Sequence, residues 1–224
     1  MKLVYQRRGG SRTGLPMWVL GMFFPSMVLS IMVGLSGCTV GNVELEDGTT
    51  RRSSIDLSVG NVVVGRDCLV EGDIDLNAGN LEVGTRTVIT GNITVTHGNV
   101  ELDDEVHAAS VSVKNGVIEL NRGVEIDGPI TLTNGLIDVR GAVLNGLVKL
   151  KRGRLEVGGG SMLAAGLHVE NVGRSTHDST YVVIKPGAIV KGPVTAEGIV
   201  RLLVDAEADT RGADFLGNSP ELIE

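Results

Sequence analysis

Glycine returns to one position of this chain every 18 or 19 residues. Gly41-Asn42, Gly60-Asn61, Gly79-Asn80 and Gly98-Asn99 stand 19 residues apart, and Gly116, Gly135 and Gly153 continue the column at intervals of 18, 19 and 18. Each Gly-Asn is followed by an apolar–any–apolar triplet, and the first apolar position persists beyond the fourth copy as Ile118, Ile137 and Leu155. A period near 20 is the sequence form of a stacked repeat protein. One glycine per unit implies a backbone constraint repeated once per unit.

Three short segments with period-2 apolar alternation fit inside each interval, the pattern of half-buried strands. One runs Ile55/Leu57, Ile74/Leu76, Ile93/Val95, Val111/Val113, Ile130/Leu132, Val148/Leu150 and Leu167/Val169. The second is the triplet after each column glycine. The third runs Cys68/Val70, Thr87/Ile89, Val106/Ala108 and Val124/Ile126, then Val143 with a less regular partner. A second punctuation column, Gly72, Gly91, Ser110, Gly128 and Gly146, permits positive φ or crowded corners between strands. The expected fold is all-β: a single-stranded parallel β-helix, or solenoid, of about seven to eight rungs with 18–19 residues per rung. Asn42, Asn61, Asn80 and Asn99 read equally well as an amide ladder or as turn residues beside Gly. The polar stretch 171–179 reads as a loop inserted within one rung, Val200, Leu202 and Val204 as a final strand, and 205–224 as an acidic cap or tail.

The first 37 residues are a different object. Residues 1–14 carry Lys2, Arg7, Arg8 and Arg12 and no acid, and Leu15 to Leu35 is apolar apart from small or weakly polar residues. A basic start and an apolar run read as an export signal, and the run is also long enough for a spanning helix. Leu35-Ser36-Gly37-Cys38 resembles the lipobox of bacterial lipoprotein signal peptides. The resemblance implies cleavage after residue 37, lipid attachment to Cys38 and anchoring in the bilayer through N-terminal acyl chains. The domains expected are thus a signal peptide (1–37), a β-helix (38–204) and the C-terminal cap or tail. Localisation is expected in the cell envelope outside the cytosol. Thr39, in place of Asp after the cysteine, favours the outer membrane of a Gram-negative cell.

Without the leader the chain holds 16 Lys and Arg against 27 Asp and Glu, a balance of −11. That argues against nucleic acid and against electrostatic docking on anionic lipid. Only Tyr181 and Phe215 remain as aromatics, so a sugar-stacking platform is not expected. Cys68 has no cysteine partner once Cys38 is lipidated, and it sits in an inward column as inert core.

Two rungs, Val64-Gly65-Arg66-Asp67-Cys68-Leu69-Val70-Glu71-Gly72-Asp73-Ile74 and Val83-Gly84-Thr85-Arg86-Thr87-Val88-Ile89-Thr90-Gly91-Asn92-Ile93, resemble the bactofilins, bacterial polymer-forming proteins. So does Ile184-Lys185-Pro186-Gly187-Ala188-Ile189-Val190-Lys191-Gly192-Pro193-Val194. The shared pattern is V-G-x-x-x-x-V-x-G-x-[IV], and the resemblance covers most of residues 55–200. The resemblance implies a right-handed β-helix that assembles end to end without nucleotide, often at a membrane. Bactofilins are cytosolic scaffolds, whereas this chain carries an export leader, which moves any assembly to the envelope.

Two enzyme classes use the same architecture. Pro186-Gly187-Ala188 resembles the text of hexapeptide acyltransferases, but 19 predominates over their 18, and His97, His107, His168 and His177 all read as solvated, without a partner column. Polysaccharide-acting β-helices need acid clusters for Ca²⁺, and Asp103-Asp104-Glu105 falls in a corner where such a run is a solvated turn. Arg174, His177 and Asp178 in the inserted loop are the remaining candidates. No catalytic, metal-binding or cofactor-binding residue is expected. The sequence reads as a lipid-anchored structural or scaffold protein that forms a homo-oligomer or polymer; the rival is a non-enzymatic surface binder or adhesin, and an enzyme comes third.

Overall fold

The computed structural model describes residues 39–171, 180–216 and 221–223. Among these, every regular element is a strand, and equivalent strands of successive rungs pair in parallel around a solenoid. Three sheets meet at three corners. Sheet I begins with Val43–Leu45, Val62–Val64, Leu81–Val83 and Val100–Leu102, continues as the distal ends of His107–Leu120, Ile130–Arg140 and Val148–Gly158, and ends with Thr180–Ile184, Val200–Asp205 and Glu221–Ile223. Nine successive pairings run along it, so the solenoid has about nine turns, or about 43 Å at ~4.8 Å per rung. Sheet II is built from two-residue strands such as Leu69–Val70 and Glu125–Ile126, and sheet III from strands such as Ile55–Val59 and Ile74–Ala78.

About nine turns exceed the seven to eight expected, and the difference lies at the C-terminus. Residues 205–224, read as a cap or tail, carry Asp209–Asp214 and Glu221–Ile223, which pair in parallel with the rung before them. The strand text there is Asp-Thr-Arg-Gly-Ala-Asp, without aliphatic alternation. A terminal rung has one open side, so less of its pattern needs to be apolar. The β-helix therefore extends past residue 204.

The interior is aliphatic columns. Ile55, Ile74, Ile93, Val111, Ile130 and Val148 lie directly over one another, each 1 % exposed or less. In the third segment the inward pair after Val124/Ile126 is Ala142/Leu144, both fully buried, and Val143 points outward. The reason is a deletion. Three residues lie between Leu120 and Val124, but only two lie between Val139 and Ala142. The other shortened rung loses its residue elsewhere, between Ala108 and Val111, where the register shifts against Ile89 and Asn92–Ile93.

The column glycines hold the corner between sheets III and I. Gly60 has φ +147°, and a Cβ there would lie 1.6 Å from the carbonyl oxygen of Gly41; Gly79, Gly98, Gly116, Gly135 and Gly153 repeat the clash at 1.6–1.9 Å. Both conformation and space exclude any side chain. The neighbouring asparagines bond rung to rung, though not amide to amide. The Asn61 N–H donates to Oδ1 of Asn42 (2.9 Å), Asn80 N–H to Asn61 (2.9 Å), Asn99 N–H to Asn80 (3.0 Å) and Val117 N–H to Asn99 (3.1 Å). In the second punctuation column crowding is the operative constraint: Gly146 adopts no positive φ, but a Cβ would sit 2.0 Å from the carbonyl oxygen of Gly128.

The inserted loop is placed by its flanks. Leu150 pairs with Val169 and Arg154 with Tyr181, so four residues in one rung correspond to twelve in the next. The surplus is residues 172–179, which lie outside the described residues.

Candidate functional site

Cys38, the expected lipid-attachment residue, lies outside the described residues, as do Arg174, His177 and Asp178. Among the described residues no helix is long and apolar enough to cross a membrane. The described surface consists of the outward columns of the three sheets, the corners and the two ends.

Sheet I carries a line of carboxylates. Glu82, Glu101, Glu119, Asp138 and Glu156 occupy one outward column on five successive rungs, ~4.8 Å apart. Like charges directly opposite one another on neighbouring strands destabilise a sheet. The distal members of the line are neutralised: Arg140 pairs with Asp138 and lies 3.8 Å from Glu119, and Arg154 and Lys185 both pair with Glu156. The Lys185 hydrogen bond, followed by the charges of Lys185 and Arg154, holds Glu156 below the usual carboxylate range. Glu82 and Glu101 have no ion-pair partner among the described residues. Partial burial, then Glu119, Asp103 and Glu82, pushes Glu101 up. Val63, Glu82, Glu101 and Asp103 line a shallow depression there.

The corner between sheets I and II is tied by arginine–aspartate pairs in its first rungs. Arg66 Nη2 donates to Asp47 (2.8 Å) and its backbone N–H to the other oxygen (2.8 Å), while Arg86 holds Asp67 in a two-pronged contact at 2.7 and 2.8 Å. Those hydrogen bonds lower both aspartates. One position of this corner is left-handed on successive rungs: Asp67, Arg86 and Glu105 have φ of 56–61°, in the column where Gly48, Gly123 and Gly141 stand on other rungs. Asp104 accepts the Arg122 N–H at 3.0 Å, so the Asp103-Asp104-Glu105 run is a turn, as expected from its position.

Two histidines have partners that the sequence reading missed. His107 Nε2 lies 2.8 Å from Asp127 Oδ2, and Asn145 bonds both Asp127 (3.3 Å) and Glu125 (3.0 Å). The His107 bond, then the Asn145 bond, lowers Asp127. His168 Nδ1 lies 2.6 Å from Thr195 Oγ1. These partners stand 20 and 27 residues away, visible only once the rungs are in register. His97 is exposed. Cys68 is 3 % exposed, and its thiol donates to the carbonyl of Glu46 at 3.2 Å. Among the described residues no group of three or more His, Cys, Asp or Glu side chains could hold a metal ion.

Sheet II presents a different outward column. From the first rung it reads Thr50, Leu69, Val88, His107, Glu125, Val143, Met162, Ile189 and Asp209. Five of these are apolar and none is fully buried; Val88 is 37 % exposed. Alternation alone places Val143 inward; the deletion before Ala142 turns it into this outward column. On sheet III the corresponding column holds Asp56, Asp75, Thr94, Ser112, Thr131, Lys149 and His168.

The ends are the remaining surfaces. Leu222 continues the inward column of Ile184 and Val204, yet it is 72 % exposed, with no rung over it among the described residues. Val43 and Leu45 at the first rung are half-buried, where Val62 and Val64 above them are sealed. No protein family, no curated protein and no solved structure matches this chain.

Proposed function

We propose that this chain is a bactofilin-like, lipid-anchored scaffold protein of the bacterial cell envelope, and that copies add end to end. The observation that carries the reading is Leu222, a core-column leucine standing 72 % exposed at the C-terminal end. Another rung placed over it buries its side chain, which is worth ~1.5–3 kcal/mol, and pairs the open edge of Glu221–Ile223. The half-buried Val43 and Leu45 offer the matching apolar surface at the other end. Anchoring rests on Leu35-Ser36-Gly37-Cys38, which would place the lipid one residue before the first described residue.

Electron microscopy of the purified full-length protein tests assembly: filaments are expected from the unaltered chain, and Leu222→Asp should abolish them. Discrete particles at every concentration would sink the polymer reading. Metabolic lipid labelling tests the anchor, and label retained by Cys38→Ala would remove the lipobox assignment.

A second reading, a surface binder that uses the flank of the rod, is favoured by Glu82 and Glu101 on sheet I, which lack ion-pair partners among the described residues. Its expected ligand is a cationic protein captured by discrete monomers.

A further inference from the structure

The first eight residues of the outward column of sheet II are their own complement, and the ninth, Asp209, is left unopposed. Numbering its residues from the first rung to the eighth and laying the column against a reversed copy opposes Thr50 to Ile189 and Leu69 to Met162. It also opposes Val88 to Val143 and His107 to Glu125. Two pairs, Leu69/Met162 and Val88/Val143, are apolar on both sides, Thr50 meets Ile189 at the edge, and the ionisable pair at the centre is imidazole against carboxylate. We propose that sheet II is an isologous interface, on which two copies of this chain pack face to face with their rod axes antiparallel.

The symmetry is physically admissible. A two-fold axis lying in the interface along the strand direction reverses the rod and keeps each column opposite itself, so residue i meets j and j meets i. The register is specified as well. A slip one way sets Glu125 against Val88 and His107 against His107; a slip the other way sets Glu125 against Glu125 and His107 against Val143. Each alternative desolvates a charge against an apolar or like group.

The flanking corner agrees with the same register. Asp67, Arg86 and Glu105 hold the left-handed corner position beside the first half of the column, whereas Gly160, Gly141 and Gly123 hold it beside the second half. In the proposed pair each charged side chain lies over one of those glycines. Sheet I offers no such fit, because its carboxylate line would face its own image.

A strip about 35 Å long and one strand wide buries roughly 700 Å² in total, under the ~1,200 Å² of a standard interface, so the contact is weak and fills only where copies are concentrated. The pairing is also separable from the end-to-end assembly proposed above, since it leaves both ends free.

Cross-linking of the full-length chain in detergent tests the register, in a Cys38→Ser background with Cys68 left in the core. Val88→Cys and Val143→Cys are made separately and treated with a short bis-maleimide spanning the sheet-to-sheet gap of ~10 Å. A mixture of the two variants should cross-link, and neither alone should, because Val88 lies three rungs from its own symmetry mate. Val88→Cys linking to itself as readily as to Val143→Cys would overturn the register.

Sedimentation equilibrium gives the second readout. Val143→Lys, at a surface position that leaves the core intact, should weaken dimerisation at least tenfold. If the unaltered chain stays monomeric at the highest concentration, the interface does not exist. If Leu222→Asp abolishes association while Val143→Lys leaves it unchanged, the ends alone join copies and this inference fails.

Discussion

The first four rungs and those that follow solve the same corner by different means. Where Asn42, Asn61, Asn80 and Asn99 stand beside the column glycine, the strand breaks at the corner, and a side-chain oxygen takes the amide of the next rung. Beyond them His107–Leu120, Ile130–Arg140 and Val148–Gly158 run unbroken through it, with Gly116, Gly135 and Gly153 paired in the ladder itself. The corner between sheets I and II divides in a similar way, with Asp67, Arg86 and Glu105 in the first half and mainly glycines in the second. One half fixes its turns with side-chain bonds; the other relies on backbone freedom. The aliphatic interior is common to both, so turn chemistry can drift along a solenoid while the core does not.

The largest effect should be indifferent to this division. Gly79→Ala and Gly135→Ala both drive a methyl group into a carbonyl oxygen 1.6–1.7 Å away, and each should cost about 4 kcal/mol or more. Neither variant should refold in denaturant titrations. A mild effect at Gly135 alone would mean that the unbroken corners can flex.

Next comes the test of the contrast itself. Asn80→Ala removes the acceptor of the Asn99 N–H and should cost about 1 kcal/mol by urea denaturation. Leu136→Ala, which is aligned one residue past the column glycine in the unbroken half, should cost less than half of that. Equal costs would erase the distinction.

Glycine at a left-handed position should help only where an L-residue now sits. Glu105→Gly removes strain at φ 61° and should raise stability by about 0.5 kcal/mol, net of the chain entropy that glycine adds.

The smallest effects are electrostatic and run in opposite directions with pH. Asp47, Asp67 and Asp127 are lowered, and Asp209 is held at about 2 by Arg211. Their stabilisation is present above the unfolded-state carboxylate range and is lost as pH falls through the folded values. Glu101 is raised, so its charge works against the fold at neutral pH. Glu101→Gln should therefore add a few tenths of a kcal/mol at pH 7 and nothing below about pH 4. Asp67→Asn should flatten the acid limb of the stability curve, and an unchanged acid limb would remove Asp67 from the account.

Most of the architecture was legible because a solenoid repeats its constraints. The glycine column, the aliphatic columns and the placement of the eight-residue insertion all follow from spacing. What stayed hidden depended on register across rungs or on patterns the end of a rod need not keep. A single deletion between Val139 and Ala142 turned Val143 outward, and with it the apolar line of sheet II. His107 and Asp127 meet only after one full turn. Asp209–Asp214 lacks alternation because a terminal rung has a single neighbour.

The ladder bonds of this solenoid join each rung to the next, so they lie along the rod axis. Tension applied between its ends would load them in series, and rungs should peel away one at a time from a terminus. Each released turn without the insertion frees 18–20 residues, which extend to roughly 60–70 Å where the folded rung occupied ~4.8 Å. A rod tethered at one end would then behave as a stepwise mechanical fuse. The rung with the long insertion is distinguishable by its step, longer than the rest by the contour of eight additional residues.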